Sequence, residues 1–111
     1  GVTRDFDYKE FVNHIEITKY VGSKRSVTVP GEINGKPITI IGAYAFAYNQ
    51  SIKAVTLPDT VIRLQKGAFA GCTSLEFLKL NLDGLKSAGR EVVNWCSKLD
   101  SDTKKTIRAK S

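Results

Sequence analysis

The sequence contains few of the residues that commonly carry chemistry. Its 111 residues include two cysteines and one histidine, and methionine is absent. Two cysteines are too few for a disulfide-stapled miniprotein, and one histidine cannot form a histidine cluster for a metal. A phosphate-binding glycine motif and a compelling pair of carboxylates are also missing. We therefore predict that the protein is not an enzyme and uses no cofactor or metal.

Long apolar runs are absent as well. None approaches the roughly 18 to 20 residues that cross a bilayer, so we predict no transmembrane segment. Residues 1–9 are polar and lack the apolar stretch of a signal peptide. A leader can be removed by processing, so this absence does not decide the localisation. The length fits one domain, which we assign to residues 1–111.

The charge is biased towards lysine and arginine, with a formal net charge of +6. Residues 1–50 hold six basic and five acidic residues, whereas residues 51–111 hold eleven and six. The densest basic part is the tail, with Lys104, Lys105, Arg108 and Lys110. Such a run is usually a solvated terminus, but it can also attract a polyanion such as nucleic acid.

The chain contains an internal repeat. Residues 52–58 recur 23 positions later as residues 75–81, with apolar residues at the same three places. Further upstream, residues 27–30 match residues 55–58 at a spacing of 28. The longer first copy includes Asn34-Gly35, a turn signal between apolar positions. A repeat of this period predicts a solenoid, in which neighbouring units stack to bury a shared core.

The second half of the unit recurs too. Residues 41–49 return as residues 64–72 at a spacing of 23, and more weakly as residues 88–96 at a spacing of 24. We count three units, and we expect equivalent apolar side chains to form columns inside the coil. The predicted inward columns are Val27, Val55 and Leu78; Val29, Leu57 and Leu80; Ile41, Leu64 and Ala88; and Phe46, Phe69 and Val93. The third unit has smaller residues, which Val92 or Trp95 would have to compensate by turning inward.

Polar and sulfur-containing residues share one further column, formed by Asn49, Cys72 and Cys96. At a buried bend, asparagine can bind unpaired backbone groups, and cysteine can act as a small apolar filler. We predict a structural role for both cysteines. A bridge between them is possible by count, but column neighbours need not have disulfide geometry.

The two ends differ from the repeats. Residues 1–22 include a strand-like alternation at residues 15–18 and are predicted to form an N-terminal cap, followed by repeats over residues 23–99. Residues 100–111 form a tail or a C-terminal cap, in which a helical turn can start at Ser101 or Asp102. An alternative interpretation of residues 84–99 is an amphipathic helix.

The unit contains an apolar-Thr-apolar-Pro segment, an Ile-Gly or its substitute, then Ala-Phe, and later Cys and Leu. It resembles the BspA-type leucine-rich repeat family. The resemblance implies a β-rich α/β fold, a short right-handed solenoid of about three 23–24-residue units with parallel strands on one face and helical structure at the C-terminus. It also implies a secreted or cell-surface bacterial protein that binds or adheres to other proteins.

Because the family has no catalytic motif, the expected function is macromolecule binding through the strand face. The residues predicted to face outward and to contact a ligand are Thr28, Lys53, Thr56, Phe77 and Lys79. Phe77 is the most informative, because an outward aromatic beside a lysine is a plausible binding anchor; the alternative is that the C-terminal segment or a missing neighbour covers it. We expect the partner to be a protein, such as a host or other extracellular protein, rather than a small molecule or nucleic acid. The alternative is polyanion binding through the basic C-terminal half.

Overall fold

Short strands wind the chain into a β-solenoid of roughly three turns. The computed structural model describes residues 2–111; Gly1, which the predicted cap includes, lies outside them. The strands are β1 (Phe6–Glu10), β2 (Ile15–Tyr20), β3 (Ser26–Thr28), β4 (Glu32–Ile33), β5 (Lys36–Ile41), β6 (Ala54–Thr56), β7 (Arg63–Leu64), β8 (Phe77–Lys79) and β9 (Ser87–Ala88), and the helix is α1 (Ser101–Arg108). This architecture confirms the predicted fold class.

The first parallel sheet has the order β3-β6-β8 and takes one strand from each unit. Val27 pairs with Val55, and Val55 pairs with Leu78, as the repeat predicts. Each of these residues is the buried centre of a three-residue strand whose flanking side chains point outward or are half-buried. Apolar side chains at equivalent positions therefore form one column of the core. Leu80, at the end of the next predicted column, is only partly buried.

A second sheet, in the order β1-β2-β5-β7-β9, lies on another side of the coil. Ile41 pairs with Leu64, and Leu64 pairs with Ala88, which confirms that predicted column. The extra residues of the first unit form the antiparallel hairpin β4–β5. Its turn is Asn34-Gly35, with φ values of 53° and 77°, the left-handed geometry that a two-residue hairpin requires.

The N-terminal hairpin starts the stack. β1 and β2 are antiparallel, whereas β2 runs parallel to β5 and so occupies the place of a preceding coil. Ile15 and Ile17 of β2 are fully buried. The predicted strand at residues 15–18 is thus confirmed, and this hairpin covers one end of the core.

The far side of each unit is a series of turns whose backbones also pair. The amides of Tyr44, Phe46 and Tyr48 donate to the second unit at 2.7 to 3.0 Å. Inside these turns the rings of Phe46 and Phe69 stack with centroids 5.0 Å apart. Val93 continues the column and is 1% exposed. Val92 also turns inward, whereas Trp95 is 64% exposed and fills no part of the core.

The C-terminal segment closes the other end. Asp100 caps α1 by accepting a hydrogen bond from the Thr103 amide at 3.0 Å, and Ile107 is buried against the last unit. The helix at Ser101 or Asp102 was therefore correctly predicted. The alternative helix over residues 84–99 is wrong, because this segment contains β9, paired in register with β7, and turns.

Candidate functional site

Two rows of outward side chains cross the sheet β3-β6-β8. The first row is Ser26, Ala54 and Phe77, and the second row is Thr28, Thr56 and Lys79. We call these six residues the strand face. Neighbouring parallel strands lie about 4.8 Å apart, so each row brings its three side chains next to one another. The rows exist because each strand of this sheet fully buries only its central residue.

A shallow depression of about 390 Å³ lies on the strand face and is lined by Ser26, Ala54, Val55, Thr56, Phe77 and Lys79. Its shape follows from side-chain size within the first row. Ser26 and Ala54 are small, whereas Phe77 is large and 62% exposed. The ring of Phe77 therefore forms one side of the depression, and the small side chains of Ser26 and Ala54 form its base. An exposed aromatic next to a concave surface is a common anchor arrangement in binding sites.

The structure brings together three of the five predicted ligand-contacting residues, since Thr56, Phe77 and Lys79 all line this depression. Thr28 lies on the neighbouring strand but lines a different depression, beside a 3.2 Å ion pair between Lys24 and Asp5. Lys53 is exposed just before β6, where its amide donates to the Arg25 carbonyl, and it does not line the depression.

Three lining residues were not among the predicted contacts: Ser26, Ala54 and the buried Val55. Ser26 and Ala54 belong to the first row, and nothing in the sequence of their own units marks them as part of a site. The signal that could have marked them is their small size in the same row as Phe77. Two small side chains next to a large one leave a concave surface beside the large side chain. Recognising it requires the register between units as well as the sequence of each unit.

The column of Asn49, Cys72 and Cys96 is structural, as predicted. The Asn49 side chain accepts hydrogen bonds from the amides of Ser51 and Ile52. Both cysteines are free thiols, and each donates to the carbonyl of a phenylalanine one unit earlier at 3.1 Å. Burial raises the pKa of Cys72 to about 12, with a further increase from Cys96. Burial also raises the pKa of Cys96, so both are poor nucleophiles at neutral pH.

The side chain of the single histidine, His14, contacts its neighbours Phe11 and Asn13. Its ring stacks on Phe11 with centroids 4.5 Å apart, and Nδ1 of His14 lies 2.8 Å from the Asn13 side-chain oxygen. Within residues 2–111, no group of three or more His, Cys, Asp or Glu side chains is placed to hold a metal ion. In the same part of the chain, no helix has the length and apolar character of a membrane span.

The stacked units of 23–24 residues agree with the comparison against known families. The family model of the BspA-type leucine-rich repeat region, which describes six copies, matches residues 15–108. The chain belongs to the BspA-type leucine-rich repeat family. No curated protein matches it.

Solved structures of bacterial leucine-rich repeat proteins are similar to this BspA-type chain. A leucine-rich repeat protein of T. pallidum has a TM-score of 0.83 and 32% identity, over 86% of this chain and 45% of that chain. A leucine-rich cell surface protein of Faecalibacterium prausnitzii has a TM-score of 0.79 and 29% identity, over 86% of this chain and 27% of that one. The BspA-type chain thus spans less than half of either protein.

Proposed function

We propose that this BspA-type repeat module binds a protein ligand through the strand face. The observation that carries the proposal is the depression beside Phe77, on the sheet to which every unit contributes one strand. An exposed phenylalanine has no role in the core, since the core column of β8 is filled by Leu78. Burying its ring against a partner would remove apolar surface from water.

The chemistry of the depression indicates the kind of partner. The apolar surfaces of the Ala54 side chain and the Phe77 ring suit contact with an aliphatic or aromatic side chain of the ligand. Lys79 lies next to Thr56 in the second row, and its exposed ammonium suits a carboxylate. We therefore expect the ligand to present an apolar residue close to an aspartate or glutamate. Lys53, outside the depression, would add attraction at the rim rather than a buried contact.

We also propose that the module acts at the cell surface or after secretion, and that its binding serves adhesion. The similar F. prausnitzii protein is described as a cell surface protein, and the family resemblance implies adhesion to host or other extracellular proteins. Catalysis is not part of the proposal. The buried thiols and the single, stacked histidine offer no activated nucleophile or base.

Polyanion binding through the basic tail is the second candidate, and the structure weakens its basis. The predicted solvated run is largely the helix α1, which packs on the last unit through Ile107. Lys104 is half-buried and donates to the Cys96 carbonyl at 3.3 Å. Binding of heparin or duplex DNA that falls steeply with salt would favour this candidate, whereas salt-insensitive binding would remove it.

A peptide library displayed on phage tests the proposal, because such a selection does not require an identified ligand. The immobilised protein is used for selection, and enriched peptides are synthesised for calorimetry. We expect enrichment of apolar residues near an acidic residue. Phe77→Ala and Lys79→Ala should each weaken binding by about tenfold or more, and the double variant should abolish it.

Matched controls distinguish binding at the strand face from non-specific binding to exposed aromatic or charged residues. Trp95→Ala removes an aromatic that is 64% exposed, close to the 62% of Phe77, on a different side of the coil. Lys98→Ala removes an exposed lysine elsewhere. Neither should change the affinity. Peptides that bind the Phe77/Lys79 double variant as tightly as the parent protein would show that the strand face is not the binding site.

A further inference from the structure

The last turn of the solenoid presents backbone amides that the earlier units use for stacking. In the first unit, the amides of residues 44, 46 and 48 donate to carbonyls of the second unit. In the second unit, the amides of residues 67, 69 and 71 donate to carbonyls of the third unit, at 2.8 to 2.9 Å. Every second amide of each turn therefore points along the solenoid axis towards the C-terminal end.

The equivalent amides of the third unit belong to Glu91, Val93 and Trp95. Within residues 2–111, none of these three amides donates a hydrogen bond to a backbone carbonyl. Val93 as a whole is only 1% exposed, so bulk water has little access to its N–H group. Buried amides without a partner are rare, because each costs free energy comparable to a lost hydrogen bond.

A small cavity lies directly against this turn. Its volume is about 90 Å³, and it is lined by residues 89–94 of this turn and by Ile107, Arg108 and Ser111 of the C-terminal segment. The backbone at Glu91 and Trp95 is left-handed, with φ of 62° and 61°. The earlier turns are left-handed at the equivalent positions, so the amides of Glu91 and Val93 keep the direction of their counterparts, towards the C-terminal end.

The charges around the cavity favour an anion. Arg90 and Arg108 both line the cavity. Lys104, on the same helix as Arg108, donates from its ammonium to the Cys96 carbonyl. Lys104 and Arg108 both act to lower the pKa of Cys96, against the larger effect of burial, which places their charges close to this end. The opposing group is the carboxylate of Glu91, an exposed residue that can remain in solvent.

We propose that this cavity binds one oxyanion group, a phosphate or a carboxylate, held by the amides of Glu91 and Val93 and by the guanidinium of Arg108. The site is separate from the strand face and does not depend on the function proposed for it. It is also distinct from polyanion binding, because a cavity of about 90 Å³ accommodates a single anionic group and not the backbone of a nucleic acid.

Backbone resonances report this site directly. The uniformly ¹⁵N-labelled protein is titrated with sodium phosphate and, separately, with sodium acetate, while sodium chloride keeps the ionic strength constant. The amides of Glu91 and Val93 should shift with saturation, and those of Gly67 and Phe69, which are already paired, should not. Saturation by phosphate alone or by acetate alone identifies which oxyanion the site prefers. Shifts that never saturate, or that spread evenly over the surface, would overturn the proposal.

Two substitutions on the same helix distinguish the site from the general positive charge. Arg108→Gln should weaken the saturating titration by about tenfold, since it removes a charged hydrogen bond. Lys105→Gln makes the same change of charge at an exposed residue that does not line the cavity, and should have little effect. Equal weakening by both variants would mean that only long-range attraction acts, and the proposed site would be wrong. Unshifted resonances elsewhere confirm that each variant is folded.

Discussion

Single residues with left-handed backbone set the shape of the turns. Two columns repeat this conformation: Tyr44, Gly67 and Glu91 form one, and Tyr48, Gly71 and Trp95 form the other, all with φ between 56° and 72°. In the second unit both positions are glycine, and a tyrosine of the first unit lies over each of them. A Cβ on Gly67 would lie 2.3 Å from Cε1 of Tyr44, and a Cβ on Gly71 would lie 2.5 Å from Cδ1 of Tyr48. The glycines therefore provide room for the rings as well as the backbone conformation.

Gly67→Ala should lower the free energy of unfolding by roughly 2 to 3 kcal/mol, from left-handed strain of about 1 to 2 kcal/mol and displacement of the Tyr44 ring. In a Tyr44→Ala background the same change should cost only the strain, so the two substitutions should be coupled. Urea unfolding of the four proteins measures this. Gly31→Ala is the matched control, because a Cβ there meets nothing within 4 Å. Additive effects of the two substitutions would contradict the packing of Tyr44 on Gly67.

At this scale the sequence predicts which side chains are buried better than it predicts backbone conformation. The buried columns at Val55 and Leu64 follow from alternation and the repeat spacing alone. The left-handed columns do not follow in this way. Glycine at positions 67 and 71 is compatible with a left-handed backbone, but tyrosine, glutamate and tryptophan at the equivalent positions rarely adopt positive φ, so the repeat comparison does not predict it. The unpaired amides of the third unit were missed for a similar reason, since they depend on the direction of each N–H group.

Elements at the two ends protect the core from water by different means. The N-terminal hairpin continues the stack, because β2 pairs with β5 as a further coil would. At the other end, α1 lies on the third unit, and Ile107 is 1% exposed. The C-terminal segment is also joined to this unit through the backbone, since the Ala88 amide donates to the Lys110 carbonyl at 3.1 Å. A helix suits this position because it satisfies its own backbone and presents one apolar residue to the core.

Ile107→Ala should destabilise the protein by about 2 to 5 kcal/mol, because it opens a cavity between α1 and the last unit. Asp100→Ala should cost about 1 kcal/mol through loss of the N-cap. Chemical denaturation followed by circular dichroism measures both. Lys105→Ala, at an exposed position of the same helix, should change stability by less than about 0.5 kcal/mol. If Ile107→Ala were equally silent, α1 would not contribute to covering the core.

The segment at residues 84–99 shows why the sequence left two interpretations open for one element. Leu85, Ala88, Val92 and Cys96 fall near helical spacing, and the same residues also occupy the inward columns of a repeat unit. What decides between them is non-local: β9 pairs with β7, and the amide of Gly89 donates to the Leu64 carbonyl at 2.7 Å. Stacking on an existing coil provides hydrogen bonds that a single sequence window does not reveal.

Across the whole molecule, the prediction succeeded where one unit could be compared with the next. The coil and the main columns follow from the spacing of 23 or 24 residues, and the family resemblance from the residues of the unit, which the match over residues 15–108 confirms. The candidate site was predicted only in part, because the depression at Phe77 depends on its neighbours in two other units. The same dependence means that units share their stability, so damage in the middle of the stack should affect every coil.

Phe69→Ala tests this sharing. Phe69 is fully buried in the middle unit, with its ring 5.0 Å from that of Phe46. Its removal should cost roughly 3 to 5 kcal/mol, a large part of the roughly 5 to 15 kcal/mol that typically stabilises a domain. Because the coils share one core, far-ultraviolet circular dichroism and Trp95 fluorescence should report the same lowered unfolding midpoint. Phe77→Ala should leave that midpoint nearly unchanged. Separate transitions for the two probes would show that the third unit unfolds independently of the second.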